Sequence, residues 1–198
     1  MGRVTIATVV EGHGEVDAIR VVLRRLAEEL GLWDVNLPPP YRMTRSKLVR
    51  AGGIEAAVGA VAHYVADLGG ILVLLDADDD LPCELGPILL SRAEQTRPDK
   101  RVSVVLAKSE FESWFLAAAT SLAGCRDLSE PLDAPADPED IRDAKGWLSA
   151  RMTGHPYRPA VDQAKLAARF DMTAARTASS SFNKFHRDAV RLFAVKDQ

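Results

Sequence analysis

Along the first 120 or so residues, short apolar runs alternate with longer stretches whose apolar positions recur every three to four residues. That rhythm predicts a strand, helix, strand, helix chain. Val4 to Val10 reads as a buried strand. Glu15 to Leu30 reads as a helix, with Ile19, Val22, Leu23, Leu26 and Leu30 on one face and Gly31 as its stop. Asp34 to Leu37 is a short strand before the Pro38-Pro39-Pro40 break. Ile54 to Leu68 is a second helix, entered after Gly52-Gly53, and Gly70 to Leu75 has the unbroken apolarity of a central parallel strand. Cys83 to Thr96 reads as helix, Val102 to Ala107 as strand, and about Ser109 to Leu122 as helix. Past Gly124 the chain turns acidic and Pro-rich from Asp127 to Asp140, a surface connection. Asp137-Pro138-Glu139-Asp140 then starts a helix over Ile141 to Met152. Val161 to Phe170 and Ser181 to Phe193 are two further helices. The predicted fold is α/β, a parallel-sheet core over residues 1–124 with right-handed crossovers, and a helical extension over 125–198 packed on it.

Two of the predicted strands end in acids. Val4 to Val10 leads into Glu11-Gly12-His13-Gly14-Glu15, and Gly70 to Leu75 delivers Asp76, Asp78, Asp79 and Asp80. Carboxylates at the ends of parallel strands stand where open α/β sheets bind their ligands. Such a cluster repels itself unless cations sit among the oxygens, and hard oxygen donors without His or Cys favour Mg²⁺ or Mn²⁺. Plainer roles exist for each group. Glu15 can complement a helix N-terminus, and one or two of the aspartates can cap the next helix, though not the whole run. The Gly-His-Gly turn could also cradle a phosphate, but it lacks the Walker lysine. Asp76 and Asp78 lead as ligands, with Asp79 and Asp80 behind them. Glu112 could complete the site from a third direction, whereas Glu110 reads as a dipole partner of its own helix. His13 is a candidate proton shuttle or phosphate contact, or simply an exposed loop residue. The stretch Arg42, Arg45, Lys47 and Arg50 is the clearest basic patch, and Lys108 and Lys184 are further candidate phosphate contacts. Trp114, Phe115 and Leu116 read as core.

Composition narrows the setting. Hydrophobic residues make up 47% and charged residues 27% of the 198, which suits a folded globular chain rather than a disordered one. A net charge of −3 argues against a generally basic nucleic-acid coat, although a local basic face or a metal ion can still meet phosphate. Cys83 and Cys125 form no pairing pattern, and no apolar run approaches the roughly 20 residues of a membrane span. The N-terminus lacks a signal-peptide core, so the expected compartment is the cytoplasm.

The motifs resemble a known grouping. A Glu-Gly strand end followed by a DxD strand end is similar to the Toprim domain. The whole chain resembles a family of small Toprim-like prokaryotic proteins related to the OLD-family nucleases, through the segments VVEGHGEVDAI, LVLLDADDDLP, AKSEFESWFLAA, YRPAVDQAKL and SSSFNKF. The resemblance implies a Toprim-like core and general acid or base work for Glu11. It implies metal binding by Glu15, Asp76 and Asp78, and a second-metal role for Glu112. OLD nucleases carry an ATPase domain in the same chain; no Walker motif occurs here, so an ATPase would be a separate partner.

The function expected from these readings is a Mg²⁺- or Mn²⁺-dependent phosphodiester hydrolase on DNA or RNA. The resemblance adds a role in defence against mobile elements. Two cations would hold the scissile phosphate, Glu11 would assist proton transfer, and Arg42 to Arg50 would follow the backbone. One alternative is a non-catalytic metal- and nucleic-acid-binding subunit of an ATPase. Another is a different Mg²⁺ phosphotransfer enzyme, such as a receiver-like domain, which the long GHGE turn fits poorly.

Overall fold

The computed structural model describes residues 3–65 and 68–194. Its centre is a five-stranded sheet of strands β1 (Val4–Val10), β2 (Val35–Asn36), β3 (Tyr41–Arg42), β4 (Gly70–Asp76) and β5 (Arg101–Ala107). Every pairing is parallel, in the order β2-β1-β4-β5. The free side of β1 is shared: β2 pairs with Val4 and Thr5, and β3 with Val9 and Val10. The seven residues of β4 are all buried, as an apolar run with helices on both faces requires.

Alternation along the strands sorts the core into two layers. Ile6, Val10, Leu72, Leu74 and Val105 pack against α1 (His13–Glu29), α5 (Ser113–Ala117) and the C-terminal helices. Ala7, Val9, Ile71, Val73, Leu75, Val104 and Leu106 meet α2 (Arg45–Val49), α3 (Gly53–Tyr64) and α4 (Pro82–Thr96) on the other face. The chain beyond residue 125 adds α6 (Ala144–Ser149), α7 (Ala164–Ala167), α8 (Met172–Ala178) and α9 (Ser180–Phe193). Those helices join the first layer through aromatic contacts. Trp114 lies 5.1 Å from both Phe182 and Phe185 of α9, and Phe115 lies 5.5 Å from Phe170. Each large apolar side chain buried this way contributes about 1.5–3 kcal/mol, so this cluster ties the C-terminal helices firmly to α5.

The strand expectations for Val4–Val10, Gly70–Leu75 and Val102–Ala107 match the observed elements to within a residue. Helices fare less evenly. The predicted helix Ile54–Leu68 ends at Tyr64, and Ala66 and Asp67 of it lie outside the described residues. The helix expected over Ser109–Leu122 begins only at Ser113. Ser109 is left-handed at φ 62, and the Phe111 amide donates 2.7 Å to Asp76 Oδ1, so this stretch is a loop bent around the end of β4. Ile141–Met152 shrinks to α6, because Asp143 caps it by accepting from the Gly146 amide. Val161–Phe170 is divided into a π-turn over Pro159–Gln163 and the short α7, and α8 was not foreseen. Among the described residues no helix is long and apolar enough to cross a membrane, and both cysteines are free.

Candidate metal centre

The turn after β1 is built for a carboxylate at each end. Gly12 caps α1 in extended conformation, and Glu15, in the helix's first turn, folds back so that its Oε2 accepts from the Glu11 amide at 3.0 Å. The bond reaches past the N-cap to the amide of the residue before it, and it draws Glu15 towards the strand end and out of solvent. Gly14 is needed for close approach: a Cβ there would strike the Gln163 side chain and stand 2.7 Å from the Pro159 carbonyl oxygen. The GHGE turn and the π-turn of the YRPAVDQ segment therefore pack directly on each other. π-turns of this kind are rare and concentrate at functional sites.

Asp76, at the end of β4, is buried and held by the Phe111 amide. Beyond it the chain extends the sheet by one more bond, Ala77 N to Ala107 O, and then Asp78 turns left-handed opposite left-handed Ser109. Two such residues facing each other mark a strained rim, and strain of this kind is common at binding sites. Glu112, 1% exposed, comes in behind the second loop. Its Oε1 accepts from the Tyr157 hydroxyl at 2.9 Å.

These groups share one electrostatic environment. Burial raises the pKa of Glu15 to about 7, with repulsion from Glu11 and Glu112 adding to it. Burial likewise lifts Asp76 well above the usual carboxylate range, and the charges of Glu15 and Glu112 push it further. Burial also raises Glu112 and half-buried Glu11, and Asp78 adds to the effect on Glu11. Lys145, on α6, answers this charge. Its Nζ stands 2.7 Å from Glu110 Oε1, 3.2 Å from Glu112 Oε2 and 3.9 Å from Asp76 Oδ2. Burial works against its charge, yet the three acids outweigh burial and hold its pKa above the ordinary lysine value.

The sequence candidates divide accordingly. Glu11, Glu15, Asp76 and Glu112 come together in the interior, and Asp78 stands at the rim, exposed. Asp80 is drawn aside by an ion pair with Arg45. Arg45 also donates to the carbonyls of Asp76 and Ala77 at 3.0 and 3.2 Å, so it clamps the end of β4 and is not free to track a phosphate backbone. Arg42 and Lys47 are exposed, with Arg42 3.4 Å from the Glu11 carbonyl oxygen. His13 is exposed at the head of α1. Lys108 pairs with Asp140 at 2.6 Å. Lys184 does not reach the centre: its Nζ donates to the Val104 carbonyl oxygen on the outer side of β5. Glu110 differs from its expected role. It caps α6 by accepting from the Lys145 amide at 3.1 Å, and it holds the Lys145 amine as well. Lys145 and Tyr157 are the site residues that sequence reasoning missed. Tyr157 sat within the YRPAVDQ segment, but nothing in its spacing tied it to Glu112, and the lysine had no motif around it.

The donor set suits a hard divalent cation. Glu11 Oε2 and Glu112 Oε2 are buried without a hydrogen-bond partner among the described residues, the Lys145 amine lying near the second but not aligned with it. Unmatched acceptor oxygens beside raised carboxylates are what a bound cation would satisfy. The side chains do not stand in finished coordination geometry: among the described residues no three His, Cys, Asp or Glu form a metal-holding group. A pocket of about 340 Å³ opens at the rim between Asp78, Ser109, Glu110 and Arg142.

The chain matches the family described as "Domain of unknown function (DUF4276)" over residues 10–188, a span that takes in every residue of the centre. No curated protein and no solved structure matches it.

Proposed function

We propose that this chain, which belongs to the DUF4276 family, is a Mg²⁺- or Mn²⁺-dependent phosphodiester hydrolase of the Toprim kind that cuts DNA or RNA in the cytoplasm, in defence against mobile elements. One observation carries the reading. Glu11, Glu15, Asp76 and Glu112 gather at the strand ends, close enough that their charges raise one another's pKa values, and the single ammonium of Lys145 does not offset that repulsion. Glu15, Asp76, Asp78 and Glu112 would hold the cation. Bound there, a divalent ion supplies Lewis acidity towards a phosphoryl oxygen and an attacking water. Glu11 would take up or return the proton, a role supported by the burial that raises its pKa while leaving the side chain partly exposed. Lys145 would turn its ammonium to a phosphate oxygen once the carboxylates are otherwise satisfied, and exposed Arg42 and Lys47 would meet the flanking backbone.

A second reading is favoured by the position of Lys145. Its amine already occupies the space among Asp76, Glu110 and Glu112, which leaves less room than two-metal hydrolysis uses and suits a non-catalytic subunit that holds metal and nucleic acid for a separately encoded ATPase. The deciding experiment incubates the protein with plasmid, single-stranded DNA and RNA in Mg²⁺ or Mn²⁺, with and without a neighbouring ATPase. The hydrolase reading expects cleavage by the wild type and none by Asp76→Asn/Asp78→Asn. Metal binding with no cleavage of any substrate under either condition would transfer the case to the second reading.

A further inference from the structure

The strand order leaves β5 at an edge of the sheet, and a cleft of about 700 Å³ runs along it between α4 and α9. Lys100 and Arg101 lie at the start of β5, so this cleft begins about 20 Å along the strand from the acids gathered past Ala107. Its charge is the opposite of theirs. Lys100, Arg101, Lys184, Arg187 and Arg191 line it against Glu94 and Asp188. Asp188 is already committed: it accepts from Ser103 Oγ at 2.6 Å and from Lys184 Nζ at 2.5 Å. Arg187 has no carboxylate within ion-pairing distance among the described residues, and the nearest carboxylate oxygen to Arg191 is Asp188 Oδ1 at 3.8 Å. The floor between these cations is apolar, made by Leu90, Val102 and Leu192.

We propose that this cleft binds a phosphate-bearing organic ligand of nucleotide size. The volume lies in the range of roughly 300–1,000 Å³ typical of small-molecule sites, and an apolar floor with a few convergent polar groups is their usual lining. Exposed Arg187 and Arg191 take the phosphate, because guanidinium forks match phosphate oxygens in pairs, while Arg101 Nη1 donates to the Arg191 and Ala194 carbonyls at 3.3 and 3.4 Å and holds the end of α9 beside them. Leu90, Val102 and Leu192 take the organic part. The inference is independent of the metal-centre reading, since it uses none of the same side chains.

Two sources share this chemistry, a free nucleotide and the phosphorylated end of a nucleic-acid strand. Fluorescence anisotropy with a labelled ATP analogue and, separately, a 5′-phosphorylated oligonucleotide distinguishes them. Both titrations are run in EDTA, so that the acidic centre holds no metal–nucleotide complex. Saturable binding of either probe is expected. Arg187→Glu/Arg191→Glu should weaken it at least about tenfold, the scale of losing one charge-assisted contact. Arg187→Gln/Arg191→Gln, which adds no repulsion, should fall between the two, and Asp76→Asn should bind as the wild type does. These arginines are on the outer surface of α9, and a thermal melt confirms that the variants fold. Absence of saturable binding of both probes, binding unchanged in the charge-reversed variant, or binding abolished by Asp76→Asn would each overturn the proposal.

Discussion

Tyr157 donates its hydroxyl proton to Glu112 Oε1 at 2.9 Å, joining residues 45 positions apart inside the protein. It is the only hydrogen bond to a Glu112 carboxylate oxygen among the described residues, and it opposes the burial that raises this acid's pKa. Tyr157→Phe leaves the shape intact and removes the donor. A buried acceptor left unsatisfied costs about 1–3 kcal/mol, so the urea midpoint should fall by that equivalent with the slope unchanged. An unshifted midpoint would mean that Glu112 finds another donor.

The raised carboxylates set a direction for pH dependence. Glu15 titrates near 4.5 in an unfolded chain and at about 7 here, so between those values the folded state holds more protons than the unfolded state. Stability from this group is therefore greatest at acid pH, declines as pH rises through that window and levels off above it. Glu15→Gln keeps the acceptor for the Glu11 amide and removes the charge. Between pH 4.5 and 8 the wild type should lose on the order of 2–3 kcal/mol relative to this variant, measured by denaturant unfolding at several pH values. Parallel curves would show that Glu15 is not desolvated in solution.

The strands and the acids at their ends were legible in the sequence because both signals are local. Val4–Val10, Gly70–Asp76 and Arg101–Ala107 are dominated by apolar residues, as strands packed between helices must be, and the acids follow the first two directly in the chain. What was not legible depends on distant parts of the chain. Gly14 reads as a turn glycine, but its need to lack a Cβ arises from Pro159 and Gln163, far along the sequence. Ser109 to Glu112 has the periodicity of a helix, and the pull of Asp76 on the Phe111 amide overrides it. Lys184 and Lys108 carry the same charge as Lys145, and only tertiary packing decides which lysine enters the acidic pocket.

Lys145 serves as the centre's resident counter-charge, which gives it a distinctive variant. Its side chain is 37% exposed, so solvent screens the pairing, and Lys145→Met should cost about 1–2 kcal/mol, less than breaking a fully buried pair. The loss should be recovered by metal. With the ammonium gone, Mn²⁺ meets no competitor among Asp76, Glu110 and Glu112, and the gain in Tm on adding Mn²⁺ should exceed that of the wild type. A variant destabilised to the same extent with and without Mn²⁺ would separate Lys145 from any cation site.

In the proposed mechanism Glu11 carries the proton; it follows β1 directly, lies half-buried and feels the charge of Asp78. Glu11→Gln preserves the side-chain volume and removes the exchangeable proton. If the centre hydrolyses phosphodiesters with Glu11 as its proton carrier, the cleavage rate should fall by roughly 10²-fold or more, the ordinary scale of general acid–base catalysis. The same side chain carries a buried oxygen without a partner, so the variant also loses a potential ligand. Rates are therefore compared at saturating Mn²⁺, where weaker metal binding no longer limits them. The pH profile gives a second readout: the wild-type rate should rise through the elevated Glu11 pKa, and that limb should disappear in the variant. Cleavage at the wild-type rate with the limb retained would assign the proton transfer to another group in the pocket.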